Sequence, residues 1–252
     1  MSGHIETIMG GEPHNGHASV ALTHGAGHDR RWDDRPPDPQ RTLQWLRAYE
    51  SRITSGAARL AAGQCRRLGV PFNPRANRMW YAARDVWLGA SAPVSAYVHR
   101  ASRLALLDAA SLRPVLAARA IYPSRGALRR IVSGKQRHVL ANALGEPTFV
   151  ALTEMGLNAL SANVPVPEDA TADTLVAAGR LLFERDEAWP LAPARRLIGL
   201  ALDDNPGESD TPAQGPVLEA ASNRLERGPT DDSEAFLSDA GKLFPELTWL
   251  FG

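Results

Sequence analysis

The sequence lacks several features that would point to a particular kind of protein. Cys65 is the single cysteine among 252 residues, so an intrachain disulfide and a multi-cysteine zinc site are both excluded. No apolar run approaches the roughly 18 residues that a membrane-spanning helix needs. The N-terminus also has no basic and apolar leader segment. We therefore expect a cytoplasmic protein that folds without disulfides and does not insert into a membrane by itself.

Long runs that alternate β-branched and polar residues are also missing, and this favours an all-α fold. Helical spacing is clear instead in residues 40–69, where apolar side chains recur at every third or fourth position. Because prolines and glycines interrupt the pattern repeatedly, we predict an irregular multi-helix domain. The predicted helices cover residues 40–69, 74–89, 94–110, 112–124, 124–134, 135–145, 147–160, 168–188, 190–204, 217–228 and 231–252.

Individual residues indicate where some of these helices begin and end. Pro114 is predicted in the first turn of its helix, where a missing N–H is harmless. Ser124 is predicted as the N-cap of the next helix, and Gly134 as the residue just beyond that helix. Gly145 is expected to close a helix, and Pro147 to open the one after it.

Composition divides the chain into four parts. Residues 1–40 contain six glycines, four prolines and five of the seven histidines, and they are predicted to form a disordered arm. Residues 41–202 are predicted to be a basic-to-mixed helical domain. Residues 203–216 form an acidic loop rich in turn-forming residues. Residues 217–252 are predicted to be acidic helices that pack on the body.

The histidines of the arm raise the question of a metal site. The sequence HGAGH places two imidazoles four residues apart, but a glycine-rich arm does not preorganise the tetrahedral geometry of structural zinc. We therefore predict no specific metal site. The histidines concerned are His4, His14, His17, His24 and His28.

No arrangement of residues indicates catalysis or a cofactor. Cys65 lies beside Arg66 and Arg67, which would lower a thiol pKa, but only His99 and His138 outside the arm could act as its base. Both histidines are predicted on helices among arginines, which is typical of a solvated face. We predict a protein that is not an enzyme and needs no cofactor.

Charge is strongly segregated although the net charge is zero. Residues 1–40 hold three basic and six acidic side chains, residues 41–140 hold 18 and three, and residues 141–252 hold seven and 19. Three interpretations stay open: docking to protein partners, neutralisation of the basic part by the acidic part of the same chain, and binding of nucleic acid. We favour protein docking. The alternative is a basic helical nucleic-acid-binding protein with an acidic autoinhibitory C-terminal region.

The segment LRPVLAARAIYPSRGALRRIVSGKQRHVLANALGEP, from Leu112 onward, resembles the SctK/YscK family of type III secretion proteins, in its Hrp-type branch from plant-associated bacteria. The shared features are a helix with the pattern LR.VLAARA, an arginine-rich helix, and a helix that ends in glycine. The aromatic and arginine-rich region from Trp45 to Trp87 is compatible with this family. The arm and the acidic C-terminal third depart from its pattern.

This resemblance implies a non-enzymatic helical adaptor on the cytoplasmic side of the injectisome, and therefore a role in virulence. Its partners would be the cytoplasmic domain of the inner-membrane ring component SctD and the pod protein SctQ of the sorting platform, which contacts the stator SctL. The family has no catalytic residues to carry over.

Two regions are candidates for partner binding. The first is the arginine-rich segment, through Arg113, Arg119, Arg125, Arg129, Arg130 and Arg137. The second is the end of the chain, LFPELTWLFG, where Trp249 lies among six large apolar residues. This end could instead pack against the body, and we favour packing.

Overall fold

The computed structural model describes residues 38–73, 97, 99–156, 164–167, 169–189, 192–203 and 232–251. The chain divides into residues Met1–Pro36 and a compact unit of Pro37–Gly252. Three predictions lie outside the described residues: the arm up to residue 37, the helix at 74–89, and the segment 204–231 with its acidic loop and the helix at 217–228.

The prediction of an all-α fold is confirmed, since the described residues are 82% helical and contain no strand. Their α-helices are α1 (Pro39–Arg67), α2 (Arg100–Arg103), α3 (Ala109–Ile121), α4 (Gly134–Leu144), α5 (Glu146–Met155), α6 (Ala172–Arg185), α7 (Ala192–Leu202), α8 (Asp232–Leu243) and α9 (Thr248–Phe251). Their 3-10 helices are Leu104–Leu106, Tyr122–Arg130 and Pro245–Leu247.

Helix α3 is the centre of the fold. Its large apolar residues are fully buried, and they belong to one core cluster with residues of α1, α4, α5, α6, α7, α8 and α9. The closest approach is to α6, because a Cβ atom added at Gly179 would lie 1.8 Å from the carbonyl oxygen of Leu116. A glycine is therefore required where these two helices cross.

The long helix α1 forms close to the bounds predicted for it, 40–69, and local contacts define both of its ends. The Asp38 side chain accepts a hydrogen bond from the backbone N–H of Gln40, and Pro39 occupies the first helical position. Gly69, just beyond the helix, has a φ of 66°, a conformation that favours glycine. On the inner face, Trp45 and Tyr49 join the common core.

The start of α3 corrects two predictions. Asp108 is the N-cap of α3, and its carboxylate accepts a 2.8 Å hydrogen bond from the N–H of Ser111. This cap divides the single helix predicted over 94–110, and it begins α3 early enough to place Pro114 inside the helix instead of in its first turn. Without an N–H, Pro114 leaves the carbonyl of Ala110 without its usual helical donor.

The segment after α3 corrects two further predictions. Residues Tyr122–Arg130 form a 3-10 helix that follows α3 directly, and Ser124 is buried and donates to the carbonyl of Pro165 instead of capping an α-helix. Gly134 begins α4 instead of following a helix, because Ser133 is the N-cap and accepts from Gln136. By contrast, Gly145 ends α4 as predicted, with a φ of 82°.

Candidate partner-binding surface

The seven residues predicted to bind partners have very different environments. Three of them, here called the inner arginines, are Arg113, Arg119 and Arg125. Arg129, Arg130 and Arg137 are exposed and lie on both sides of the turn between the 3-10 helix and α4. Together with Lys135 they form what we call the basic tip. Trp249 is half-buried near the end of the chain.

Arg119 is the most buried of the inner arginines. Its side chain is 0% exposed, and its Nη2 donates a 2.9 Å hydrogen bond to Asp186, whose side chain is 4% exposed. Its Nε donates a 3.0 Å bond to the hydroxyl of Ser233, and that hydroxyl in turn donates to Asp186. One buried network therefore joins α3 to the C-cap of α6 and to the first turn of α8.

The network is imperfect, because the Nη1 atom of Arg119 is buried without a hydrogen-bond partner among the described residues. Burial lowers the pKa of Arg119, while the hydrogen bond and the charge of Asp186 act in the opposite direction. Since a buried guanidinium cannot reach another protein, the prediction that Arg119 contributes to a docking surface is corrected. Its role in this fold is to hold three elements together.

The other two inner arginines also turn towards groups of their own chain. Arg113 forms an ion pair with Asp173 at the start of α6. Arg125 donates a 2.8 Å hydrogen bond to the carbonyl of Tyr122, and its guanidinium lies 4.1 Å from the centre of the Tyr122 ring. Both are half-buried. The interpretation of intramolecular neutralisation therefore holds for part of the basic segment.

The basic tip is different, because its four cationic side chains are exposed. No ion pair joins Arg129, Lys135 or Arg137 to an acidic side chain of the described residues. Arg137 instead lies 5.7 Å from the ring centre of Phe149. Val132 stands between the two halves of the tip and is 96% exposed.

Helix α8 brings acidic side chains to the basic part of the chain. Arg100 lies 3.7 Å from the carboxylate of Glu234, and it donates a 2.9 Å hydrogen bond to Ser238. The hydroxyl of Tyr122 donates a 2.7 Å bond to Asp239. Helix α8 is thus held to the body by one ion pair from Arg100 and one hydrogen bond from Tyr122, besides its buried apolar face.

Asp239 has a lowered pKa. Burial by itself raises the pKa of this carboxyl, but the hydrogen bonds from Tyr122 and Lys242 together outweigh burial. The same contact and burial raise the pKa of Tyr122 to about 12.

The end of the chain packs against the body. Of its six large apolar residues, Leu243, Phe244, Leu247, Leu250 and Phe251 are buried. The Trp45 indole donates a 3.1 Å hydrogen bond to the carbonyl of Trp249, and Arg103 donates a 2.7 Å bond to the carbonyl of Leu250. These bonds satisfy backbone groups that the end of a helix leaves open. Trp249 is therefore the one large apolar residue of this segment that stays partly exposed.

Arg103 is the residue that sequence reasoning missed at this end. Its guanidinium lies 4.2 Å from the centre of the Trp45 ring, and burial together with the charges of Arg100 and Arg41 lowers its pKa to about 10. Arg59 has a similar role, because it donates to the carbonyls of Leu200 and Asp203 at the C-terminal end of α7. The hydrogen bonds of Arg59 and Arg103 to these distant carbonyls join residues more than 140 positions apart, so they leave no local signal in the sequence.

The described residues offer few means for chemistry. They contain no group of three or more His, Cys, Asp or Glu side chains placed to hold a metal ion. Cys65 is buried on α1.

An open cavity of about 400 Å³ lies where the start of α3, the turn between α4 and α5, and the end of α8 meet. Glu246 is the only carboxylate among its lining residues. No helix in the described ranges has the length and hydropathy that a membrane crossing requires.

The fold and the surface described above define an all-α protein with segregated charge and an exposed basic tip. The sequence profile of the bacterial type III secretion protein HrpB4 matches residues 37–246, which is most of the chain. The chain therefore belongs to the HrpB4 family of bacterial type III secretion proteins, which is not a known enzyme family. No curated protein and no solved structure matches the chain.

Proposed function

We propose that this chain is a non-enzymatic adaptor of a type III secretion system, located at the cytoplasmic face of the inner membrane. In this proposal it links the cytoplasmic domain of the inner-membrane ring component SctD to the pod protein SctQ of the sorting platform, which contacts the stator SctL. The observation that carries the proposal is the HrpB4 family match, since it spans the compact unit almost from end to end.

Two further observations support an adaptor role. The segment that resembles SctK/YscK proteins includes α3, so it supplies the centre of the core and not a peripheral attachment. The molecule also presents separate surfaces, with the basic tip on one segment and exposed acidic residues such as Glu246 on another. Surfaces of opposite charge suit two different partners, because like charges penalise the wrong encounter.

The test is reconstitution with purified components. The full chain, the SctD cytoplasmic domain and SctQ are mixed in pairs and all together, with and without nuclease, at about 0.15 M salt, where long-range charge effects are screened. We expect a ternary complex in size-exclusion chromatography with light scattering. Binding of one protein but not both would overturn the linking role.

The same experiment separates the nucleic-acid alternative. No observation on the described residues favours nucleic acid, and we therefore expect nuclease to leave complex formation unchanged. Recovery of nuclease-sensitive nucleic acid, with neither protein bound, would overturn the adaptor proposal.

A further inference from the structure

The open cavity continues into an exposed face of α5. Pro147 lines the cavity at the start of α5, and Val150 and Glu154 follow it on the same side of the helix, at intervals of three and four residues. All three side chains are exposed, that of Val150 to 44%. This face extends about 10 Å along the helix. We call the cavity and this face together the α5 groove.

The cavity offers both apolar walls and an oxygen acceptor. Pro114, Leu144 and Pro147 are among the apolar residues that line it. Pro114 has a second effect, because it leaves the carbonyl of Ala110, another lining residue, without its usual helical donor. The cavity therefore suits a side chain with an apolar stem and an N–H donor at its end.

The charged side chains of the α5 groove are all carboxylates. Glu246 lines the cavity, and Glu146 and Glu154 are the charged residues of α5. All three are exposed, and none forms an ion pair with a basic side chain of the described residues. The N-terminus of α5 contributes only about half a positive charge. The full charges of the three glutamates therefore make the groove attractive to cations.

The sign of this charge decides which class of partner fits the groove. An anionic lipid surface and a nucleic acid both present phosphates, which the carboxylates repel. A basic segment of a protein is attracted instead. The side chains of lysine and arginine also combine an apolar stem with a cationic end that donates hydrogen bonds. That combination matches the apolar walls of the cavity, the carbonyl of Ala110 and the carboxylate of Glu246.

We propose that the α5 groove binds a basic segment of a protein partner in the secretion apparatus, with one lysine or arginine side chain inserted into the cavity. The cationic end of that side chain pairs with Glu246, and a neighbouring part of the segment lies along Val150 and Glu154. This proposal rests on the adaptor function above and specifies the chemistry of one of its interfaces.

The experiment measures binding of the full chain to the purified SctD cytoplasmic domain and to purified SctQ, each immobilised separately. The charge of the groove is reversed by Glu154→Lys with Glu246→Lys, and the cavity is filled by Ala110→Leu. The matched control is Glu50→Lys with Glu187→Lys, two exposed glutamates outside the groove whose substitution changes the net charge by the same amount.

We expect the charge reversal to weaken binding to one of the two probes by about tenfold or more, and the filled cavity to weaken it by about threefold. The control should change binding by less than about twofold. Wild-type binding to the affected probe should also weaken as salt is raised, and this salt dependence should be smaller in the charge-reversal variant. Circular dichroism and thermal unfolding of each variant establish that a loss of binding is not a loss of fold.

Other outcomes separate this proposal from the adaptor function. Wild-type binding to both probes with no change in the groove variants would overturn the groove as an interface and leave the adaptor function standing. An equal loss in the control would also overturn the groove, because net charge alone would then explain the effect. No wild-type binding to either probe would overturn both proposals. Groove variants that lose only self-association in light scattering would replace the secretion partner with a second copy of this chain.

Discussion

The inner arginines and the basic tip come from one short segment with uniform composition, yet folding gives them opposite environments. Arg119 is enclosed with Asp186 and Ser233, while Arg129 and Arg130 are exposed a few residues further along the chain. The difference arises because α6 brings Asp173 and Asp186 to α3 and α8 brings Ser233. Arg129, Lys135 and Arg137, by contrast, form no ion pair with an acidic side chain of the described residues. Charge density in the sequence therefore says little about which arginines remain for a partner.

This contrast assigns different energetic roles to the same residue type. A buried ion pair stabilises the fold only while both members are present, because either charge alone has lost its hydration. An exposed charge stays hydrated and contributes little to folding. Substitutions of the inner arginines should therefore change stability, and substitutions at the tip should change binding.

The largest effect is expected from Arg119→Ala. This variant removes the buried ion partner of Asp186 and leaves only the half-buried Arg185 on its other oxygen, so we expect the free energy of unfolding to fall by about 3 kcal/mol, the low end for a broken buried pair. Urea denaturation followed by circular dichroism measures the change. The double variant Arg119→Met with Asp186→Leu removes the buried pair and should recover most of the loss, because the half-buried Arg185 that also contacts Asp186 keeps access to solvent. A single variant as stable as the wild type would mean that Arg119 is hydrated, and the contrast with the tip would disappear.

A smaller loss is expected where α6 crosses α3. Gly179→Ala places a Cβ atom against the carbonyl of Leu116, and separating the two backbones should cost about 1–3 kcal/mol. The control is Gly199→Ala in α7, where no atom lies within 4 Å of the new Cβ. Because alanine favours a helix, this control should stabilise the protein by up to about 1 kcal/mol. Equal effects of the two variants in thermal unfolding would contradict the close crossing that positions Arg119.

How far the sequence predicts these features depends on the distance between the groups involved. The ends of α1 and α4 follow from local signals, because Gly69 and Gly145 supply the positive φ that each helix end requires. The predicted start of α3 is wrong, because the prediction overlooks Asp108 as the N-cap, although the contact of Asp108 with Ser111 is local.

The 3-10 helix after α3 depends on a tertiary contact instead. A Cβ atom at Gly156 would lie 2.3 Å from the carbonyl of Arg125, so the end of α5 approaches this segment very closely. Periodicity within one segment cannot indicate such an approach. The same limit applies to the candidate site, because the burial of Arg119 depends on Asp186 and Ser233, which lie 67 and 114 residues further along the chain.

The stability of the fold is expected to depend on pH through the contact between Asp239 of α8 and Tyr122. The pKa of Asp239 is lower in the folded protein than its ordinary value of 3.8, so its contribution to stability is present above about pH 4 and is lost as the pH falls below that value. Asp239→Asn should therefore lower stability near neutral pH by about 1 kcal/mol, the typical net contribution of a hydrogen bond. The denaturation midpoints of variant and wild type should converge towards pH 3. Parallel profiles at all pH values would show that the carboxylate of Asp239 does not hold α8 on the body.

The smallest effect on stability is expected at the tip itself. Arg129→Glu with Arg130→Glu should change the free energy of unfolding by no more than about 0.5 kcal/mol, as is usual for exposed positions. An unchanged denaturant slope would also show that the compact state is preserved. One outcome would contradict this prediction. A fall in the free energy of unfolding as large as that of Arg119→Ala would mean that acidic side chains from outside the described residues cover the tip. Its charge would then be neutralised within the molecule, like that of the inner arginines. Preserved stability together with weakened partner binding would separate the two groups, because only an interface loses its partner without losing its fold.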